Sequence, residues 1–225
     1  AGDNDACGQC ASCNKSRQLI HPDTHFTFPF IPNPDVKKKS DEKPVSADWM
    51  GHWRKFLDAN AYPDVYDWME AMSVENKQLK ITSAECAEII KHSNLKSFES
   101  KYKVFIIDEV HMLSLSACNA LLKILEEPPK NVVFILATTD IKKIPNTIVS
   151  RCHKLSFSSL NKKELAMAIS NIVWLENGNI TNMALSHIIN CSEGSFRDAI
   201  NMVNILMIQN YNNLCPFDWG FGVLG

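Results

Sequence analysis

Lys103–Cys152 contains four phrases that decide the fold: KVFIIDEVHML (103–113), NALLKILEEPP (119–129), VVFILATTD (132–140) and IPNTIVSRC (144–152). Val104 to Ile107 form a continuous apolar run bounded by charge, the pattern of a strand buried on both faces of a parallel sheet. Asp108 and Glu109 follow at its carboxyl end. Ser114 can cap the next helix, in which Cys118, Leu121, Leu122 and Leu125 fall at i, i+3, i+4 and i+7, and Pro128-Pro129 stops it. Val132 to Ala137 read as a second buried strand ending in Thr138 and Thr139, and Arg151 lies on the connection after it. Strands alternating with helices imply an α/β fold with a parallel, doubly wound sheet.

Upstream, the helical pattern starting at Thr82 or Ser83 puts Cys86, Ile89 and Ile90 on one face. Between Trp49 and Met72, the aromatic residues Trp49, Trp53, Phe56, Tyr62, Tyr66 and Trp68 suggest either bases stacked on rings or a small insertion packed on the core. Trp49, Trp53, Phe56 and Leu57 follow helical spacing, which favours packing. Residues 29–48 hold four of the ten prolines and Lys37-Lys38-Lys39, and read as a solvated loop with a charged tip. After Ser158 the character is all-helical. Asn161 with Glu164, Thr181 and Ser195 open three amphipathic segments, and Ala199, Met202, Val203 and Leu206 share a stripe on the third.

A length of 225 residues allows one large domain or two small ones, and a formal charge of −2 argues against a broad, non-specific nucleic-acid surface. No run is apolar enough to span a membrane and no secretory signal opens the sequence, so no membrane partner and a cytoplasmic location are expected. Of the eight cysteines, Cys7, Cys10 and Cys13 cluster as C-x-x-C-x-x-C, a metal-ligand spacing with a redox thiol set as the alternative. Scattered thiols elsewhere read as buried cysteines.

Taken in order, DEVHML, the TTD strand end and SRC resemble the clamp-loader ATPase subunits of bacterial DNA polymerase III, gamma/tau and delta-prime, of the AAA+ family. The resemblance implies an AAA+ parallel sheet, a zinc module and a small all-helical lid domain. The divisions expected are residues 1–25 for the zinc module, 26–100 for an insertion and helix joining the core, 101–158 for the core, 159–210 for the lid and 211–225 for a tail.

The resemblance also assigns roles. Asp108 would hold Mg²⁺ against ATP, and Glu109 would polarise the attacking water. An exposed acid pair opening a loop is the plain alternative. Thr139, more than Thr138, matches the phosphate-sensing hydroxyl, although strand-end capping would also place threonines there. Arg151 resembles the finger that reaches a neighbour's nucleotide, its alternative being a surface arginine paired with a local acid. Arg197, in GSFRDA (194–199), resembles the lid's nucleotide sensor, and its place near a helix N-terminus runs against the dipole. Cys7, Cys10 and Cys13 would supply three of four thiolates to a structural Zn²⁺, with His21 or His25 as substitutes for the fourth.

The resemblance is uneven. No G-x-x-x-x-G-K-[ST] stretch occurs, and only six residues precede Cys7. The chain is therefore expected to start after the phosphate loop, lack the first strand and fourth cysteine, and bind ATP poorly alone. His21-Pro22-Asp23, Tyr66-Asp67-Trp68 and Glu75-Asn76-Lys77-Gln78 look like a delta-prime insertion of Bacteroidetes-type bacteria. The implied function is ATP-dependent loading of the sliding clamp on primed DNA, with the other clamp-loader subunits as partners. A non-hydrolysing delta-prime-like stator is the alternative, and a zinc-dependent DNA-binding adaptor a more distant one.

Overall fold

The computed structural model describes residues 5–31, 43–60, 62–72 and 78–212, with side chains as far as residue 207. The chain divides into two compact units, Ala1–Lys154 and Leu155–Gly225. Lys37–Lys39 and the end of the chain from residue 213 lie outside the described residues.

The first unit is built on a parallel three-stranded sheet of order β1-β2-β3, formed by Thr24–Thr27, Lys103–Ile107 and Val132–Leu136. In register, Thr27 pairs with Ile107 and Ile107 with Leu136, so the strand ends lie side by side. Among the described residues of this unit, the helices are α1 (Ala11–Arg17), α2 (Met50–Ala59), α3 (Val65–Ala71), α4 (Ser83–Ser93), α5 (Leu115–Glu126) and α6 (Asn146–Val149). Ser114 caps α5 by accepting the Ala117 N–H at 3.2 Å.

Side chains alternate across the strands. Phe105 and Ile107 are buried with Ile81, with Cys86 and Ile89 of α4 and with Ala117, Cys118 and Leu121 of α5. Val104 and Ile106 are only half-buried, and Val133 and Ile135 are 41% and 47% exposed. The expectation of strands covered on both faces is thus corrected. An apolar run reports hydrophobicity on both sides, whereas burial requires a helix on each. β1 is a second departure from the sequence reading, which gave residues 21–27 no strand.

Lys103 is 5% exposed at the start of β2, and its ammonium donates to the carbonyls of His92, Leu95 and Lys96 at 3.0, 2.9 and 3.1 Å. His92 lies in the last turn of α4 and Leu95 and Lys96 just past it, so the ammonium sits at the negative end of the helix. Lys103→Met keeps the length of the side chain and removes all three donors. It is expected to cost about 2 kcal/mol in urea unfolding, and a variant as stable as the parent would refute the capping role.

The aromatic insertion packs rather than projecting its rings. Trp49, Trp53, Phe56 and Trp68 are buried with Phe28 and Phe30, while Tyr62 and Tyr66 are exposed. The solvated-loop reading of residues 29–48 fails at both ends: Phe30 and Ile31 are buried, and Ser46 has no exposed surface. The indole N–H groups of Trp49 and Trp68 satisfy the carbonyls of Ile31 and Pro29 at 3.1 and 3.0 Å, which lets a proline-containing backbone enter a core. At Ser46, the buried Glu85 carboxylate accepts the backbone N–H and the hydroxyl at 2.6 Å each, and the Thr27 hydroxyl at 3.1 Å.

The described residues of the second unit form three helices, α7 (Lys162–Leu175), α8 (Asn182–Cys191) and α9 (Phe196–Asn212). Leu165, Ile169, Val173, Ile188, Ile189, Ala199, Ile200 and Val203 form its core. Asn161 accepts the Lys163 and Glu164 N–H groups, and Thr181 accepts that of Ala184. Gly194 has φ +87°, and a Cβ there would stand 2.9 Å from the Leu160 carbonyl oxygen. Only glycine fits this turn into α9.

Candidate functional site

Parallel pairing of β2 with β3 brings together groups nearly thirty residues apart in sequence. The Ala137 N–H donates to the Ile107 carbonyl and the Val110 N–H to the Ala137 carbonyl, each at 2.9 Å. This zipper holds the loop after β2 against the end of β3. Asp108, Glu109 and His111 then face Thr138 and Thr139 at the carboxyl edge of the sheet, where open α/β sheets place their ligands.

Asp108 is half-buried, and burial foremost pushes its carboxyl above the ordinary range, helped by the neighbouring Glu109 charge. Its Oδ1 accepts the Glu109 N–H at 2.9 Å. Glu109 has φ 46°, the left-handed region, which costs a non-glycine residue about 1 kcal/mol. That conformation turns its side chain across to β3. Oε2 accepts the Thr139 hydroxyl at 3.1 Å, with the Thr139 N–H at 3.5 Å.

The imidazole of His111 joins the same cluster. Its Nδ1 lies 3.1 Å from Glu109 Oε2 and 3.1 Å from Thr138 Oγ1. A nitrogen facing a carboxylate at this distance acts as donor, so Nδ1–H is shared between Glu109 and Thr138. Thr138 Oγ1 also accepts the Asp140 N–H at 3.1 Å, a local turn cap. The two threonines therefore do different work: Thr138 closes the turn, and Thr139 reaches the carboxylate.

Arg151 bonds elsewhere, through Nη1 to the Thr147 carbonyl at 2.6 Å and Nη2 to Glu126 Oε2 at 3.2 Å. Arg197 is the second residue of α9, half-buried, and belongs to the other unit. Asp108, Glu109, Thr138 and Thr139 are thus assembled at one sheet edge. The sequence reading gave His111 no role. The only signal was a histidine two residues past the second acid.

The cysteine cluster is separate. Cys7, Cys10 and Cys13 bring their sulfurs within 4.8 Å of one another. Cys7 and Cys13 Sγ stand 3.8 Å apart, the edge of a tetrahedron whose Zn–S bonds are about 2.3 Å. The Cys10 N–H points to Cys7 Sγ at 3.4 Å and the Cys13 N–H to Cys10 Sγ at 3.5 Å. Backbone N–H groups of Gln9 and Cys10 foremost draw the Cys7 thiol down to about 6. Hydrogen bonding with Cys10 raises that of Cys13.

These three sulfurs fit a thiolate-loving metal. Among the described residues no histidine or carboxylate joins them. His21 and His25, considered as fourth ligands, are committed elsewhere. His21 bonds to Ser12, and His25 stacks on Phe105 with ring centres 4.7 Å apart.

Comparison with known proteins places these features in a family context. The family model described as "DNA polymerase III, delta subunit" matches residues 1–161. DNA polymerase III subunit gamma of Buchnera aphidicola subsp. Schizaphis graminum is 42% identical over 130 residues, covering 58% of this chain and 36% of the relative. DNA polymerase III subunit tau of Bacillus subtilis is 46% identical over 103 residues, or 46% of this chain and 18% of the relative. The chain therefore spans about a third or less of these curated relatives' lengths. A solved gamma subunit-related protein of Thermotoga maritima superposes on 85% of this chain and 57% of its own, with a TM-score of 0.44 and 17% identity.

Proposed function

The chain belongs to the DNA polymerase III delta-subunit family, and on that premise we propose that it works in the clamp loader, the ATP-driven assembly that places the sliding clamp on primed DNA. The observation that carries this is the joining of Glu109 to Thr139 at the ends of two paired parallel strands, with Asp108 beside them. The fold reading that goes with it is an AAA+ core with a helical lid, the two units being the core and the lid.

In this reading Asp108 would hold Mg²⁺, which supplies positive charge against the phosphates of ATP. A half-buried carboxyl at a strand end suits that task, since a cation there restores the charged form that burial disfavours. Glu109 orients the attacking water once Thr139 releases it, and the Thr139 hydroxyl then turns to the terminal phosphate. Arg151 serves the nucleotide of a neighbouring subunit, and Arg197 reports nucleotide state to the lid. Cys7, Cys10 and Cys13 would hold a structural Zn²⁺.

The test uses the full-length subunit its gene encodes, assembled with its partner subunits. Glu109→Gln keeps the hydrogen-bonding shape and removes the charge, and is expected to lower ATP turnover at least about 10²-fold. Unchanged turnover with intact clamp loading would reject the motor role. It would leave the second reading, a non-hydrolysing stator, which the locking of Glu109 onto both Thr139 and His111 also supports.

A further inference from the structure

A buried ring helps fasten the cysteine cluster to the sheet. His21 is 7% exposed, and its Nε2 lies 2.9 Å from Ser12 Oγ, 3.3 Å from Ser100 Oγ and 3.2 Å from Glu99 Oε1. Its Nδ1 accepts the Asp23 N–H at 3.2 Å, which leaves Nε2 as the donor. Ser12 belongs to α1, between Cys10, which caps that helix, and Cys13, which lies within it. Lys15, one turn on, bonds Glu99 at 2.6 Å.

The other side of the ring is equally anchored. The Asp23 carboxylate takes the backbone N–H groups of Glu99 and Ser100 at 2.8 Å each, and that of Phe98. Asp23 directly precedes β1, and its own carbonyl accepts the Val104 N–H at 2.8 Å. Sheet, Phe98–Ser100 loop, His21 and Ser12 thus form one continuous hydrogen-bonded chain ending on α1, the helix that Cys10 caps and that contains Cys13.

We propose that His21 is a positioning residue for the Cys7–Cys10–Cys13 metal site: by holding α1 through Ser12 it presets the sulfur geometry and raises metal affinity. This rests on the zinc reading given above. A site whose sulfurs are already spaced for the ion has less chain to order on binding, and hydrogen-bonded partners outside the ligand set commonly change metal affinity by about 10–100-fold. The coupling also runs in reverse, so an occupied site steadies the Phe98–Ser100 loop at the entrance to β2.

Zinc affinity is measured by competition with a chromophoric chelator on the purified chain, with melting midpoints recorded metal-free and zinc-loaded. The parent is expected to take about one zinc. His21→Ala should bind it about 10–100-fold more weakly, and His21→Gln, whose amide nitrogen can still meet Ser12, should recover most of the loss. Ser12→Ala, which leaves the buried ring in place, should weaken binding about fivefold.

A merely stabilising histidine would lower both midpoints alike. Positioning predicts instead that the zinc-induced rise shrinks in His21→Ala. Equal affinities and equal rises in parent and variants overturn the proposal while sparing the zinc reading, whereas a parent that takes no zinc removes both. Should His21→Ala not fold, Ser12→Ala paired with Lys15→Ala decides: undiminished affinity overturns the proposal.

Discussion

Arg151→Ala in the assembled clamp loader is expected to cut ATP turnover by about 10³-fold or more, the range of an arginine finger in other nucleotide hydrolases. The guanidinium now bonds Thr147 and Glu126 within its own chain, and Arg151 and Glu126 are both exposed. An exposed ion pair holds by about 0–1 kcal/mol. In the proposed role, a neighbour's triphosphate, with more charge and less water around it, would outcompete Glu126. Arg151→Lys should recover little, because an ammonium cannot offer the planar fork. In that role the loss would belong to the neighbour's site, so the isolated variant is expected to unfold within about 0.5 kcal/mol of the parent. Glu126→Gln, which only frees the arginine, should leave turnover near normal. Turnover within about twofold of the parent in Arg151→Ala would leave Arg151 as a surface residue with a local partner.

What the sequence made legible was whatever depends on near neighbours. Ser114, Asn161 and Thr181 announce helix starts because a cap acts within three residues. KVFII and VVFIL announce strands because apolar β-branched runs between charges have few other uses. Asp108, Glu109, Thr138 and Thr139 came from strand ends and from wording shared with a family. The parts that stayed hidden depend on distant partners. β1 carries Thr24, His25 and Thr27, too polar to stand out, and is a strand because Val104–Ile107 offer it a register. His111 meets Thr138 only once β2 and β3 are paired. Pro29–Ile31 looked like loop because the indoles that satisfy its carbonyls lie 18 and 39 residues further on. The partial exposure of Val133 and Ile135 is likewise a property of where the described helices land, not of the strand's own residues.

Trp68→Ala should be the most destabilising single change in the first unit, at about 3–5 kcal/mol. Trp68 is 2% exposed and sits against four rings, with centroids of Trp53, Phe56, Phe28 and Trp49 at 4.8, 5.2, 5.6 and 6.1 Å. Three of these contacts are edge-to-face, with interplanar angles of 83–89°, the arrangement aromatic quadrupoles favour. Truncation leaves a ring-sized cavity among side chains too rigid to collapse into it, and it orphans the Pro29 carbonyl that the indole N–H satisfied. Trp68→Phe separates these terms: it keeps most of the packing and loses the hydrogen bond, for about 1–2 kcal/mol. Because Pro29–Ile31 continues from β1, the damage should reach the sheet edge and expose the β1 amides to hydrogen exchange before those of β2 and β3. A variant with its unfolding midpoint within about 2 °C of the parent's would mean that the insertion is a detachable appendage. A fall of about 10 °C or more would make the aromatic cluster a second core on which the Glu109 edge of the sheet depends.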